Sequence, residues 1–215
     1  MTITAAADGS ALGNPGPAGW AWYIDDDTWA AGGWKHATNN QGELMAVLDL
    51  FRSTAHVDDD LLVLCDSQYV INTVTKWMPG WKAKGWRKGD GKPVMNLDLI
   101  KEIDEAIVGR RYRFEWVKGH VGHVLNEAAD VRARAVAEAF ARNAPIAAGP
   151  GFPGSAAPVA EVLEATSALG LAPTLFDDET LTSIVVELTP DELARLTARA
   201  ARAGQHPDEF LRSLI

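Results

Sequence analysis

Cysteine is nearly absent from the 215-residue chain, with Cys65 the single example. An internal disulfide and a cysteine metal cluster are therefore excluded, and any metal ion must be held by oxygen or imidazole. One thiol also fits a reducing compartment. Long apolar runs are missing too. No stretch approaches the roughly 20 residues that cross a membrane, and the opening MTITAAADGS lacks the basic start and apolar core of a secretory leader. The expectation is a cytoplasmic protein with no membrane contact. Positive charge is scarce, with 20 Lys and Arg against 29 Asp and Glu, a formal net charge of -9. Phosphate neutralisation supplies most non-specific affinity for nucleic acid, so a generic nucleic-acid coat is excluded unless the basic residues are gathered in one place. What is present, 47% hydrophobic and 23% charged residues, suffices for one good core plus a small appendage.

Composition changes near Arg142, where RNAPIAAGPGFPGSAAPVA is poor in charge and rich in Ala, Gly and Pro. Such a stretch reads as a linker, which divides the chain into a domain at 1–143, a linker at 144–160 and a small C-terminal domain at 161–215. Residues 1–143 hold 16 Lys and Arg against 19 Asp and Glu, and residues 161–215 hold 4 against 10. Most of the excess acid thus lies in the tail. Within the first domain, KWMPGWKAKGWRKGDGK (76–92) sets six basic residues against one acid and interleaves three tryptophans. Its local field is positive despite the global sign.

In ADGSALGNPGPAGW (7–20), Pro15 and Pro17 forbid the helix that a phosphate-cradling glycine turn would open, so the segment reads as strand, tight turn, strand. WAWYI and TWAAGGWKH continue it as an antiparallel meander. Leu44, Val47, Leu48 and Phe51 then recur at helical spacing, with Asn39 or Asn40 as the expected cap. LLVLCD (61–66) is a buried strand ending in an acid, with a helix following through Val70, Val74 and Trp77. A helix through Ile100, Ile103 and Ile107, a strand YRFEWV (112–117) and an Ala-rich helix from Asn126 to Phe140 complete the domain. The expected fold class is α/β, a mixed sheet with helices on both faces. In this reading Asp8 ends the first strand, Asp66 ends the fourth, Glu43 lies in the first turn of the first helix and Asp130 one turn into the last. Four carboxylates converging at one end of a sheet repel one another unless a cation neutralises them, and an all-oxygen site of this kind calls for a hard divalent metal such as Mg²⁺.

In order and spacing, DGSALGNPGPAGW, TNNQGELMA, DSQYV, WMPGWKAKGWRKGDGKPVMNLDL and WVKGHVGHVLNEAAD resemble the successive motifs of the bacterial type 1 ribonuclease H family. The resemblance covers nearly all of residues 1–143. It implies a ribonuclease H-like mixed five-stranded sheet and endonucleolytic hydrolysis of the RNA strand of an RNA/DNA hybrid, leaving 5′-phosphate and 3′-hydroxyl ends. Asp8, Glu43, Asp66 and Asp130 are implied as carboxylates for two Mg²⁺ ions, with Mn²⁺ as the alternative. His120 is similar to the family's mobile-loop histidine, whose near-neutral titration suits proton movement or product departure. Asn14, Asn39, Asn40 and Gln68 resemble minor-groove contacts, where amides meet the 2′-hydroxyl, and Thr38 resembles a DNA-phosphate contact. Taken alone, the same amides form turns and caps. Trp77 and Trp81, with Lys82, Lys84, Arg87 and Lys88, resemble the family's basic handle for the DNA strand; the helical spacing of Trp77 is equally that of a core residue.

The tail, SIVVELTPDELARLTARAARAGQHPDEFLRSLI, reads as a strand and two helices and resembles a ribbon-helix-helix unit from about residue 183, implying a homodimer through 183–215. Its ribbon would present Val185 and Glu187, which do not suit base reading. Two other functions stand beside the enzyme. A non-catalytic RNA/DNA hybrid-binding module would gain nothing from four acids placed beside phosphates, and a DNA-binding regulator acting through the tail is opposed by the tail's negative charge.

Overall fold

The structure, a computed structural model, describes residues 1–119 and 122–155. Three strands lead the chain: β1 (Thr2–Ala11), β2 (Gly16–Asp25) and β3 (Thr28–Ala37). With β4 (Asp60–Cys65) and β5 (Tyr112–Trp116) they form one sheet in the order β3-β2-β1-β4-β5. β1 pairs antiparallel with β2, and β2 with β3, whereas β4 runs parallel to both β1 and β5. The expected mixed sheet is present, and it sets the carboxyl ends of β1 and β4 side by side.

Alternation along β1 and β4 sends successive side chains to opposite layers. Ala5, Ala7, Leu61 and Val63 pack with Trp20 and Trp22 beneath α1 (Asn39–Ser53) and α4 (Leu97–Ala106), whose Leu44, Val47, Leu48, Phe51, Ile100 and Ile103 are buried. Ala6, Leu62 and Leu64 face the other way, toward Ala129 of α5 (Val124–Ala141), which also covers Ala21 and Ala31 through Ala133 and Val136. The helix after β4 is composite: α2 (Gln68–Asn72), a π-helical turn (Thr73–Trp77) and α3 (Met78–Ala83).

Three local expectations are corrected. The cap of α1 is Thr38, not Asn39 or Asn40: its hydroxyl accepts from the Gln41 amide while the Gln41 side chain accepts from the Thr38 amide. This reciprocal pair satisfies two otherwise orphaned donors, which a lone Asn cap cannot do. β1 continues three residues past Asp8, because pairing with β2 persists to Ala11. Glu43 and Asp130 sit deeper in their helices than expected, as the fifth residue of α1 and the seventh of α5.

Residues 144–155 depart from the free linker that their composition predicts. Ala31 donates its amide to Ala148 O (2.8 Å) and Gly151 donates to Trp29 O (3.0 Å), so the segment runs along the edge of β3. Ile146 and Phe152 anchor it to the two helical layers, and His56 Nε2 lies 2.9 Å from Pro153 O. Exposed edge amides supply the order that side-chain composition could not. A chain ending at Ser155 is expected to be about 2–3 kcal/mol more stable than one ending at Asn143, from the apolar area of Ile146 and Phe152. Urea unfolding of the two checks this, and equal midpoints would show the strap to be passive.

Candidate active site

The site begins with a close approach of backbones. A Cβ at Gly9 of β1 would lie 2.3 Å from the Glu43 amide nitrogen, so only glycine lets α1 settle against β1 at this point. That contact brings Glu43 beside Asp8. Gly9→Ala is accordingly expected to cost about 2–3 kcal/mol and to lower cleavage beyond what its stability loss explains, read from paired melting and rate measurements.

Asp8 and Glu43 are buried, Asp66 follows β4 directly and is partly buried, and one carboxylate oxygen from each lies within 4.8 Å of the others. The Gly9 amide donates to Asp8 Oδ1 (2.7 Å). Glu43 accepts from Ser67 Oγ at 2.6 Å and from Asn39 Nδ2 at 2.9 Å. Burial, followed by the negative charges of Asp66, Asp130 and Glu43, pushes the Asp8 carboxyl up to about 8 against the pull of the Gly9 amide. Burial and Asp66 likewise push Glu43 up to about 7, opposed by its two donors. Asp130, on α5, is near enough for its charge to act on Asp8 but lies outside the tight group of three. His120 lies outside the described residues, as do 156–215 with the expected ribbon-helix-helix unit and dimer.

Of the expected amide contacts, Asn39 meets Glu43 directly. Asn14 Oδ1 accepts from the Asn39 amide (3.2 Å), tying the turn after β1 to the start of α1, and exposed Gln68 opens α2 one residue after Ser67. Asn40 and Thr38 are half-buried on the same turn. Farther along, Tyr69, Trp77, Trp81, Lys88, Val94 and Met95 line an open slot of about 430 Å³. Trp77 is 40% exposed, so its helical spacing does not make it a core residue. It lies with its ring centroid 5.7 Å from that of Trp81 and 6.3 Å from that of Tyr69. Lys84 and Arg87, on the segment between Trp81 and Lys88, are exposed, whereas Lys82 is held in an ion pair with Asp104 of α4. Sequence reasoning missed Ser67. Its signal was present, since a Ser opening a helix is a cap, and Ser67 Oγ does accept from the Val70 amide.

Three clustered carboxylates, with burial and then neighbouring negative charge raising the proton affinities of Asp8 and Glu43, fit a hard divalent cation, which restores the charged forms and favours oxygen donors. A sequence profile described as RNase H matches residues 1–138. The chain belongs to the ribonuclease H family. A ribonuclease H of Tropheryma whipplei (strain Twist) is 53% identical over 150 residues, 70% of this chain and 93% of that protein. A ribonuclease H of Methylorubrum extorquens (strain PA1) is 36% identical over 220 aligned residues that span 100% of this chain and 89% of the relative. Among solved structures, LC9-RNase H1, described as a type 1 RNase H with the type 2 active-site motif, superposes with a TM-score of 0.56 at 27% identity, covering 83% of this chain and 90% of its own. Within this ribonuclease H, β1, α1 and the end of β4 each deliver one acid to a single point. Among the described residues, no helix is long and apolar enough to cross a membrane.

Proposed function

We propose that this ribonuclease H cuts the RNA strand of RNA/DNA hybrids at the cluster of Asp8, Glu43 and Asp66, completed by Asp130, in a catalytic domain spanning 1–143. The observation that carries the reading is the convergence of three acids within 4.8 Å. Divalent cations held there, Mg²⁺ or Mn²⁺, supply charge neutralisation for a phosphodiester displacement. The chain's own residues do the rest. Ser67 and Asn39 hold both oxygens of Glu43, which fixes its orientation toward the cluster. Asn14, Asn39, Asn40 and Gln68 form a rim of amide donors and acceptors suited to the 2′-hydroxyl that distinguishes RNA from DNA, and Thr38 takes a phosphate of the DNA strand. Trp77 and Trp81 offer ring faces in the slot while Lys84, Arg87 and Lys88 attract the second strand's phosphates. His120 handles protons or product exit.

A hybrid-binding module without catalysis is the weaker reading, because two buried acids held at about 8 and about 7 burden the fold without aiding a phosphate-binding surface. The test is cleavage of an end-labelled RNA/DNA hybrid with Mg²⁺, beside RNA/RNA, DNA/DNA and single-stranded controls. Cutting confined to the RNA of the hybrid supports the assignment, and binding without cutting would transfer it to the module.

A further inference from the structure

Asp66 is the one acid of the cluster that stands outside regular structure, in the turn where β4 passes into α2. Its carboxylate therefore needs an anchor that neither element supplies. The ladder between β4 and β5 ends with Cys65 opposite Trp116, and the Val117 amide donates to Cys65 O (3.1 Å). One residue further the Asp66 carbonyl has passed the end of the ladder, and the indole of Trp116 reaches across to it, Nε1 donating at 3.0 Å. Trp116 ends the edge strand and is 51% exposed, so burial alone does not account for an indole there. A phenyl ring would cover the same apolar surface without the N–H. The side chain lies close against the loop after β5. A Cβ at Gly119 would stand 2.3 Å from Asp66 Oδ2, so the loop after β5 leaves that oxygen its space by lacking a side chain.

We propose that Trp116 is a positioning residue for the metal site: its indole extends β4–β5 pairing by one residue and so fixes the Asp66 turn, while Gly119 accommodates the carboxylate. The inference rests on the reading of Asp66 as a metal carboxylate. Trp116 does not touch the reacting atoms. It acts by narrowing the arrangements open to Asp66, and partners of this kind typically govern metal affinity by about 10-fold or more.

The test compares wild type, Trp116→Phe and Asp66→Asn by Mn²⁺ titration without substrate, with the free ion followed by electron paramagnetic resonance. Hybrid binding in EDTA, thermal unfolding in EDTA and the Mg²⁺ dependence of cleavage are measured beside it. Trp116→Phe is expected to weaken Mn²⁺ binding about 10-fold and to lose cleavage at limiting Mg²⁺ but regain it at saturation. Its hybrid binding in EDTA and its melting temperature stay as in wild type. Unchanged Mn²⁺ affinity overturns the proposal, as does weaker hybrid binding in EDTA, which would make the ring a substrate contact, or a lowered melting temperature that accounts for the loss. Asp66→Asn separates the two levels. If it binds Mn²⁺ like wild type, the assignment of Asp66 fails and the proposal with it; if it loses Mn²⁺ while Trp116→Phe does not, only the proposal fails.

Discussion

Asp66→Asn is expected to slow hybrid cleavage by about 10³-fold or more while hybrid affinity changes little. The substitution keeps the size of the side chain and leaves the Asp66 carbonyl in place for Trp116, but removes a charge from the three-acid cluster. Losing one charged ligand at such a site is worth several kcal/mol in the transition state. Affinity persists because the amide rim and the slot of Tyr69, Trp77 and Trp81 are untouched. Single-turnover cleavage and filter binding, run on the same protein, read the two quantities separately. Equal losses in both would move Asp66 from catalysis to substrate binding.

Asp8→Asn is expected to stabilise the metal-free protein at alkaline pH. The Asp8 carboxyl, ordinarily near 3.8, is pushed up to about 8 by burial and by the neighbouring acids. The folded state therefore retains a proton that the unfolded chain releases. Stability from this group is complete at pH values below the ordinary carboxylate range, falls as pH rises between about 4 and about 8, and is fully lost above that. A shift of this size corresponds to a ceiling of roughly 6 kcal/mol. With the acids sharing that penalty, Asn should recover about 2 kcal/mol, a rise of about 5 °C in melting temperature at pH 9 in EDTA. The gain should shrink toward zero at pH 4 and narrow at pH 9 when Mg²⁺ is added to the wild type. A melting temperature that drops on substitution at pH 9 would refute the account of a carboxyl penalised by burial and by its neighbours' charge.

How far the site was legible depended on range. Asp8 and Asp66 announce themselves because each closes an apolar strand pattern, and Glu43 because it precedes a helix face of Leu44, Val47, Leu48 and Phe51. Thr38 was written in the sequence as well, three residues before Gln41, but the neighbouring asparagines compete for the role of cap, and the reciprocal bond to Gln41 decides it. The strap at 144–155 ran against composition. Its Ala, Gly and Pro residues carry little burial of their own, and the order comes from the open edge of β3, a property of another segment. The exposed Trp77 is similar: helical period places it, but only the packing of the composite helix turns its ring toward Trp81 and Tyr69.

By itself the sequence determined most of the strands and helices, the apolar face of α1 and the order of the acids along them, because periodicity acts over a few residues. The tertiary structure decided which groups meet: Ser67 on Glu43, Gly9 under α1, Trp116 on the Asp66 carbonyl, the strap on β3. Those pairings join residues distant in the chain and depend on strand register. A one-residue slip of β5 would carry the Trp116 side chain to the opposite face, and no local pattern in the sequence encodes the register that prevents it.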